Sequence, residues 1–249
     1  GSFGHAVAHH LRDTGITLPI IDPARYEDQL AANPQKTNAQ GELIIARITA
    51  GNNLIEIDDN GQQLLTDDAT EQYQLAATEW DKYLKATKNN PDPAVALQVS
   101  NAVLNIAGGT VAQFQSNMGT VVEAQRYVAA NAVAESKKNG PNPAAQLTAL
   151  ARYEYFNQEY DAAKKTRAEA LSFAEDKTTK TQITTQLDAA EKQARQIGKQ
   201  IDAAKKLEEF REATGELKDL SCNSISSAGP NGAINHYRPD TQTNRKLAK

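Results

Sequence analysis

The stretch AAQLTALARYEYFNQEYDAAKKTRAEAL, residues 144–171, decides the fold class. Large apolar residues alternate in it with alanines, on both sides of a short polar break before Tyr160. Small side chains let two helices approach closely, while large ones fill the space between neighbouring helices. The stretch therefore predicts a helix, a short break and a second helix.

A shorter pattern recurs fifty residues apart. Pro91-Asp92-Pro93-Ala94, followed by Leu97, matches Pro141-Asn142-Pro143-Ala144, followed by Leu147. In each copy a polar residue before proline caps a helix start, and a break and a second helix follow. Such starts also arise by chance, but a period of about 20 to 50 residues is typical of stacked helical hairpins.

Start and stop signals extend the helical pattern outward. Asp22-Pro23 predicts a helix that ends near Asn33, and Leu43–Ile48 opens a second helix that breaks at residues 51–53. Residues 55–65 read as a polar linker with a turn at Asn60-Gly61. Two further helices are predicted over residues 93–107 and 110–134.

The strongest helix starts at Asp67 or Asp68, as its cap, and stops before residues 89–91. One apolar stripe runs along it at spacings of three and four residues. The stripe consists of Tyr73, Ala76, Ala77, Trp80, Tyr83 and Leu84.

The last predicted helix begins near Thr178 and carries a heptad stripe. The stripe consists of Ile183, Leu187, Ala190, Ala194, Ile197, Ile201 and Ala204. It predicts either a dimerising coiled coil or a capping helix whose apolar face lies on the preceding hairpin. Two alanines in mid-stripe and Gly198 favour the capping helix.

Composition supports thin layers of closely packed helices. Only 6% of the 249 residues are aromatic, and hydrophobic residues make up 39%. The net charge of -4 is well mixed, so we expect neither nucleic-acid binding nor attraction to anionic membranes. No apolar run is long enough to insert into a membrane. We expect a soluble chain, either cytoplasmic or exported after removal of an anchor or signal.

Residues 23–205 resemble bacterial proteins built from tetratricopeptide repeats (TPRs). The resemblance rests on Leu147, Leu150, Ala151, Tyr153, Tyr160, Ala163, Ala170 and Leu171, together with the 158–163 loop and helix start. It implies a mainly all-α fold of stacked helical hairpins that binds a peptide or protein, or acts as a scaffold, without a cofactor. The candidate binding residues on its concave surface are Tyr73, Trp80, Tyr83, Tyr153 and Tyr155.

The sequence pattern changes on both sides of residues 23–205. Residues 1–22 form an N-terminal extension that we expect to be flexible, whereas residues 206–249 read as a separate C-terminal part. Residues 221–227 and 233–237 predict two short strands joined by a tight Gly-Pro-Asn-Gly turn. We therefore expect a short hairpin of α/β type after the helices.

Residues 207–247 resemble a stretch of aminopeptidase P, a family of dinuclear metal peptidases that release a residue preceding proline. The resemblance runs in order through LEEFRE, GEL, SISSAGPNGAI, HY and TNRKL. It implies that His236 is the substrate-handling histidine of the motif Gly-Ala-Ile-x-His-Tyr. Asn235 and Cys222 depart from it, because the family has an aliphatic and an aromatic residue there.

The resemblance also implies that the five metal ligands of the family lie beyond this stretch, where the chain stops at Lys249. A two-metal site needs several converging carboxylates. We therefore expect no catalysis from this chain alone. The alternative is a truncated or chimeric Xaa-Pro aminopeptidase that lacks its metal-binding half. The C-terminal segment can be natural, an artificial fusion or part of a generated sequence.

No other pattern predicts a metal site. His5, His9 and His10 include an i, i+4 pair, but there is no His-Glu-x-x-His arrangement and no third ligand nearby. We expect a disordered or tag-derived terminus there instead. Asp58 begins an acidic turn, but Ala69 occupies the twelfth position, where a calcium loop needs glutamate.

Overall fold

A computed structural model describes residues 22–34 and 36–213, and within them the fold is mainly all-α, as the sequence predicts. The helices are α1 (Pro23–Ala32), α2 (Thr37–Asn53), α3 (Asp67–Ala86), α4 (Pro93–Asn105), α5 (Val111–Ser136), α6 (Ala144–Phe156), α7 (Tyr160–Ser172) and α8 (Lys177–Ala213). The predicted C-terminal hairpin lies outside the described residues.

The chain forms two compact units. Among the described residues, the first contains residues 22–34, 36–106 and 120–141, and the second contains residues 107–119 and 142–213. Both divisions fall within the 23–205 segment. None of the helices in the described ranges is both long and apolar enough to cross a membrane.

Three helices begin with the same local chemistry. The Asp22, Asp92 and Asn142 side chains each accept a hydrogen bond from the backbone N–H two residues later, at 3.0, 2.8 and 2.9 Å. Proline follows each cap, where its missing N–H removes no helical hydrogen bond. The helix starts predicted after residues 22, 92 and 142 are therefore confirmed to within a residue.

Two predicted starts are wrong. Helix α2 begins at Thr37, six residues before Leu43. Helix α3 is capped by Thr66, whose hydroxyl accepts from the backbone N–H of residue 69 at 3.1 Å. Asp67 and Asp68 lie in the first turn instead, where their carboxylates interact favourably with the helix dipole.

The linker before α3 contains a small antiparallel hairpin of β1 (Glu56–Ile57) and β2 (Gln63–Leu64). The predicted turn at Asn60-Gly61 is confirmed. The Asp58 carboxylate accepts from the backbone N–H of Asn60 at 2.9 Å, and Gly61 has a φ of +78°. Only the two short strands went unpredicted, because two residues are too few to show a period.

The core of the first unit forms where α2 and α4 pack against α3. Trp80 is fully buried there and lies edge-on to Tyr127, with ring centroids 6.1 Å apart. Its indole Nε1 donates to Glu123 at 3.1 Å. Nearby, the Gln125 amide donates to the buried Ser100 hydroxyl at 2.9 Å, so these buried polar groups are paired.

In the second unit, α6 and α7 form a hairpin of two 13-residue helices, and α8 packs against both. The heptad stripe of α8 is buried within this chain, with Leu187 1% and Ala194 0% exposed. Only its last member, Ala204, is half-buried. The structure therefore supports the capping-helix interpretation.

Candidate functional site

Four of the five predicted binding residues lie in the core. Tyr73, Trp80 and Tyr155 are fully buried, and Tyr83 is 6% exposed. Each ring lies on the apolar face by which its helix packs, so it cannot contact a partner in this conformation. Only Tyr153 is half-buried and partly accessible.

Most of the predicted metal-binding and catalytic residues lie outside the described residues. His236, the histidine implied by the peptidase resemblance, lies outside the described residues, as do His5, His9 and His10. The described ranges contain no cluster of three or more histidine, cysteine, aspartate or glutamate side chains that could bind a metal ion. The Asp58 carboxylate accepts hydrogen bonds within its own turn, and the backbone N–H of Gln62 lowers its pKa.

The second unit contains a cavity of about 710 Å³ between α6 and α8. We call it the α6–α8 groove. Its volume lies in the range of ordinary ligand sites. Its lining includes Ala145, Ala149, Arg152, Phe156, Gln182, Gln186, Leu187, Ala189 and Gln193.

Small side chains keep this groove open. Ala145 and Ala149 lie one turn apart on α6, and Ala189 is exposed on the facing side of α8. The floor is formed by the buried side chains Ile183 and Leu187. The result is an apolar channel with polar edges, which suits a segment of extended chain.

The two flanks of the buried stripe on α8 differ in chemistry. Gln182, Gln186 and Gln193 each precede a buried position and line the groove. The residues that follow buried positions include Asp188, Glu191 and Arg195, which face away from the groove lining. One edge of α8 is therefore uncharged and polar, and the other is charged.

The charged flank is used for contacts within the unit. Asp188 accepts a hydrogen bond from Arg167 of α7 at 2.6 Å. Arg195 donates to Glu191 at 2.6 Å, and its guanidinium stacks over the Tyr160 ring at 4.6 Å. The contacts of Asp188 with Arg167 and of Arg195 with Tyr160 join α7 to α8.

The flank of α8 that carries the glutamines forms no such contacts within the described residues. Within the described part of the chain, the carboxamides of Gln182, Gln186 and Gln193 are exposed and form no hydrogen bond. Each can donate two hydrogen bonds and accept two more. These amides are thus available to a ligand in the groove.

Arg152 supplies the positive charge of the groove. Its guanidinium stacks over the Phe156 ring, one turn further along α6, at 5.6 Å from the centroid. Across residues 22–34 and 36–213 it forms no ion pair, and no acidic side chain lines the groove. Stacking on an aromatic face orients an arginine while leaving its N–H groups free for a carboxylate.

Hydrogen bonds behind the groove hold its walls in place. Gln158, between α6 and α7, donates to the Ala194 carbonyl of α8 at 3.1 Å and accepts from Tyr160 at 2.8 Å. The buried Glu154 accepts from Thr166 at 2.7 Å, which links α6 to α7. Burial raises the pKa of the Tyr155 hydroxyl, so this group stays neutral inside the unit.

A second cavity, of about 600 Å³, lies in the first unit between α1, α2 and α3. The buried Gln40 lines it and donates to the Pro34 carbonyl at 3.1 Å, while its side-chain oxygen accepts no hydrogen bond. Glu79 and Lys82 in its wall form an ion pair at 2.8 Å.

The groove residues were missed in the sequence, although a signal exists. The residues that the sequence predicts for binding are aromatic, and all of them except Tyr153 lie in the core. The alternative signal is the contrast between the two flanks of the heptad stripe, with carboxamides before the buried positions and charges after them. That contrast indicates which edge of α8 is free for a ligand.

Short parts of the chain are similar to Xaa-Pro aminopeptidases. The chain is 44% identical over 48 residues to Xaa-Pro aminopeptidase ApepP of Drosophila melanogaster, covering 19% of this chain and 8% of that protein. It is 49% identical over 41 residues to a probable Xaa-Pro aminopeptidase P of Neurospora crassa, covering 16% and 6%. A probable Xaa-Pro aminopeptidase P of Aspergillus fumigatus is 48% identical over 44 residues, covering 18% and 7%.

These matches are about as long as the segment 207–247, which contains 41 residues. The chain spans less than a tenth of the length of each of these curated relatives. No protein-family model matches the chain. No solved structure matches it at a significant level either.

Proposed function

We propose that this chain is a non-catalytic helical-repeat protein that holds an extended peptide or partner segment in the α6–α8 groove. The observation that carries the proposal is the groove itself, with its apolar floor and its row of carboxamides without partners. An extended segment brings unpaired backbone N–H and C=O groups, and carboxamides can satisfy both.

We further propose that the second unit is TPR-like. Helices α6 and α7 have 13 residues each, and α8 begins at Lys177, 33 residues after Ala144. A TPR has a helix–turn–helix period of about 34 residues. In this interpretation α6 and α8 occupy equivalent positions in successive repeats, with α8 as the capping helix.

A peptide-binding assay tests the binding function. The full chain is screened against random heptapeptides displayed on phage, and enriched peptides are synthesised and titrated. We expect Ala189→Trp, which fills the groove, to weaken binding at least about tenfold, a loss that corresponds to about 1.4 kcal/mol. Ala203→Trp, on an exposed part of α8 outside the groove, should leave binding unchanged.

The scaffold role is the alternative outcome of the same screen. If no peptide is enriched, or if both tryptophan variants bind as well as the parent chain, the groove is not a binding site. The helices would then act only as a spacer between neighbouring segments.

The similarity to Xaa-Pro aminopeptidases favours a second candidate function. We propose that residues 207–247 represent part of a peptidase of that kind, with His236 handling the substrate. A neutral imidazole can donate a hydrogen bond to a scissile carbonyl or to the oxyanion that develops from it.

Turnover of an Xaa-Pro peptide with added manganese tests this second candidate. The peptidase proposal requires turnover by the full chain that His236→Ala abolishes. Absence of turnover rejects peptidase activity of the 249-residue chain, and turnover that persists in the variant indicates a contaminating peptidase.

A further inference from the structure

The cavity between α1, α2 and α3 in the first unit has a volume of about 600 Å³, which lies in the range of small-molecule sites. It belongs to a different unit from the α6–α8 groove, and the proposed peptide binding does not use it. Part of its lining is apolar, because the buried Leu43 of α2 and the half-buried Leu30 of α1 both contribute to it. Ala86, the last residue of α3, adds a small side chain.

Gln40 brings an unsatisfied buried group to this cavity. The residue is 9% exposed, and its amide nitrogen donates to the Pro34 carbonyl at 3.1 Å. Its side-chain oxygen is buried and accepts no hydrogen bond within the described part of the chain. A buried acceptor without a donor costs free energy, and a ligand that supplies the donor recovers it. The cavity therefore suits a ligand that donates a hydrogen bond.

The charged residues of the lining leave one cation unpaired. Glu27 pairs with Arg47, and Glu79 accepts from Lys82 at 2.8 Å. Lys85, in the last turn of α3, forms no ion pair with the described residues. An ammonium group without a counter-ion attracts a carboxylate.

We propose that this cavity binds a free α-amino acid with an apolar side chain. The carboxylate of the ligand pairs with Lys85, and its ammonium group donates to the Gln40 side-chain oxygen and to Glu79. The apolar side chain packs on Leu30 and Leu43. An ionised carboxylate can accept about four hydrogen bonds, so Glu79 can bind the ligand while it keeps its ion pair on α3.

Helix α1 can move to admit this ligand. None of its ten residues is buried. Two polar contacts help to hold it, the ion pair of Glu27 with Arg47 and a hydrogen bond from Lys36 to Gln29 at 2.6 Å. Exposed contacts of this kind contribute little stability. An outward movement of α1 therefore opens the cavity and gives the ligand access to the buried oxygen of Gln40.

Thermal unfolding of the full chain with each free amino acid tests the proposal. Trp80, the only tryptophan, is buried in the first unit and follows Glu79 in the chain, so its fluorescence reports on the unfolding of this unit. A ligand that binds the folded state raises the melting temperature by mass action. We expect millimolar leucine, methionine and phenylalanine to raise it.

Two derivatives of leucine test the two charges by titration calorimetry. N-acetyl-leucine lacks the ammonium group and should bind at least about tenfold more weakly than leucine, because it loses the charged donor to Gln40 and Glu79. Leucinamide lacks the carboxylate and should bind about two- to fivefold more weakly, because exposed ion pairs such as that with Lys85 are weak.

Matched variants locate the site. Gln40→Met keeps the approximate size of the side chain without its oxygen, and it should weaken leucine binding at least about fivefold. Lys85→Gln should remove the preference for leucine over leucinamide. Lys137→Gln should keep that preference, because it loses the same charge at an exposed position outside the lining. Circular dichroism of each variant confirms that the helices are retained.

Three outcomes would overturn the proposal. They are the absence of a melting shift with any amino acid, equal binding of leucine and N-acetyl-leucine, and binding that neither Gln40→Met nor Lys85→Gln changes. The Ala189→Trp variant, altered in the other unit, should bind leucine as the parent chain does. Amino-acid binding and peptide binding in the α6–α8 groove therefore succeed or fail separately.

Discussion

The indole N–H of Trp80 donates a hydrogen bond to the Glu123 carboxylate at 3.1 Å, which satisfies the only polar group of a fully buried side chain. The bond joins α3 to the part of α5 that belongs to the same unit. A buried donor without a partner costs about 1–3 kcal/mol, so Glu123 is expected to matter for stability although its own side chain is half-buried.

Glu123→Ala should lower the free energy of unfolding of this unit by about 1–3 kcal/mol, because it leaves the indole N–H unpaired. Glu123→Gln keeps an acceptor oxygen and should cost less than about 1 kcal/mol. Trp80 is the only tryptophan, so its fluorescence during urea unfolding reports on this site. Equal losses in the two variants would show that the hydrogen bond does not contribute.

Two helical glycines should respond to alanine with opposite signs. A Cβ on Gly51 would lie 2.6 Å from an atom of the buried Tyr73 ring, which is anchored by a 2.6 Å hydrogen bond to Asn52. Gly51→Ala should therefore destabilise the chain by about 1–3 kcal/mol, the usual cost of overpacking. Thermal unfolding measures the change.

Gly119 is the matched case, because a Cβ there meets no atom within 4 Å. It lies in the interior of α5, where alanine has the higher helix propensity. Gly119→Ala should stabilise the chain by about 0.5–1 kcal/mol. Destabilisation at this position would contradict the open space seen beside the helix.

Leu187 on α8 should be a strong stability site. It is 1% exposed, and Leu187→Ala would leave a cavity that costs about 2–5 kcal/mol. The exposed Lys192→Ala should change stability by less than about 0.5 kcal/mol.

Urea unfolding at two chain concentrations should give the same midpoint for the parent chain. A midpoint that rises with concentration would indicate coiled-coil pairing through α8.

The Asp176 carboxylate should make the stability of the first turn of α8 depend on pH. The pKa of its carboxyl lies below the ordinary value, because the Thr179 hydroxyl and backbone N–H donate to it at 2.7 and 2.9 Å. A lowered pKa means that the ionised group stabilises the folded state. This stabilisation is complete above about pH 4 and is lost as the pH falls through the lowered value.

We therefore expect the melting temperature of the parent chain to fall more than that of Asp176→Asn between about pH 5 and pH 2. Asparagine is an equally good helix cap but does not titrate. Circular dichroism melts across this range provide the comparison, and parallel curves for both chains would exclude a role for this carboxylate.

The sequence by itself determined the features that depend on a few neighbouring residues. The caps at Asp22, Asp92 and Asn142 act over two residues, so the starts of α1, α4 and α6 could be predicted. The heptad stripe of α8 repeats often enough to identify its buried face. Thr66 was missed because it stands next to Asp67 and Asp68, which are equally good caps, and only the path of the backbone selects among them.

Only the tertiary structure decided which side chains are available for binding. Trp80 and Tyr155 look like ligand contacts in the sequence, yet they are buried because other helices cover them. Arg152 and Gln186 look like ordinary surface residues, yet α6 and α8 bring them to one groove. Burial and neighbourhood depend on residues distant in the chain, and a local pattern carries no information about that packing.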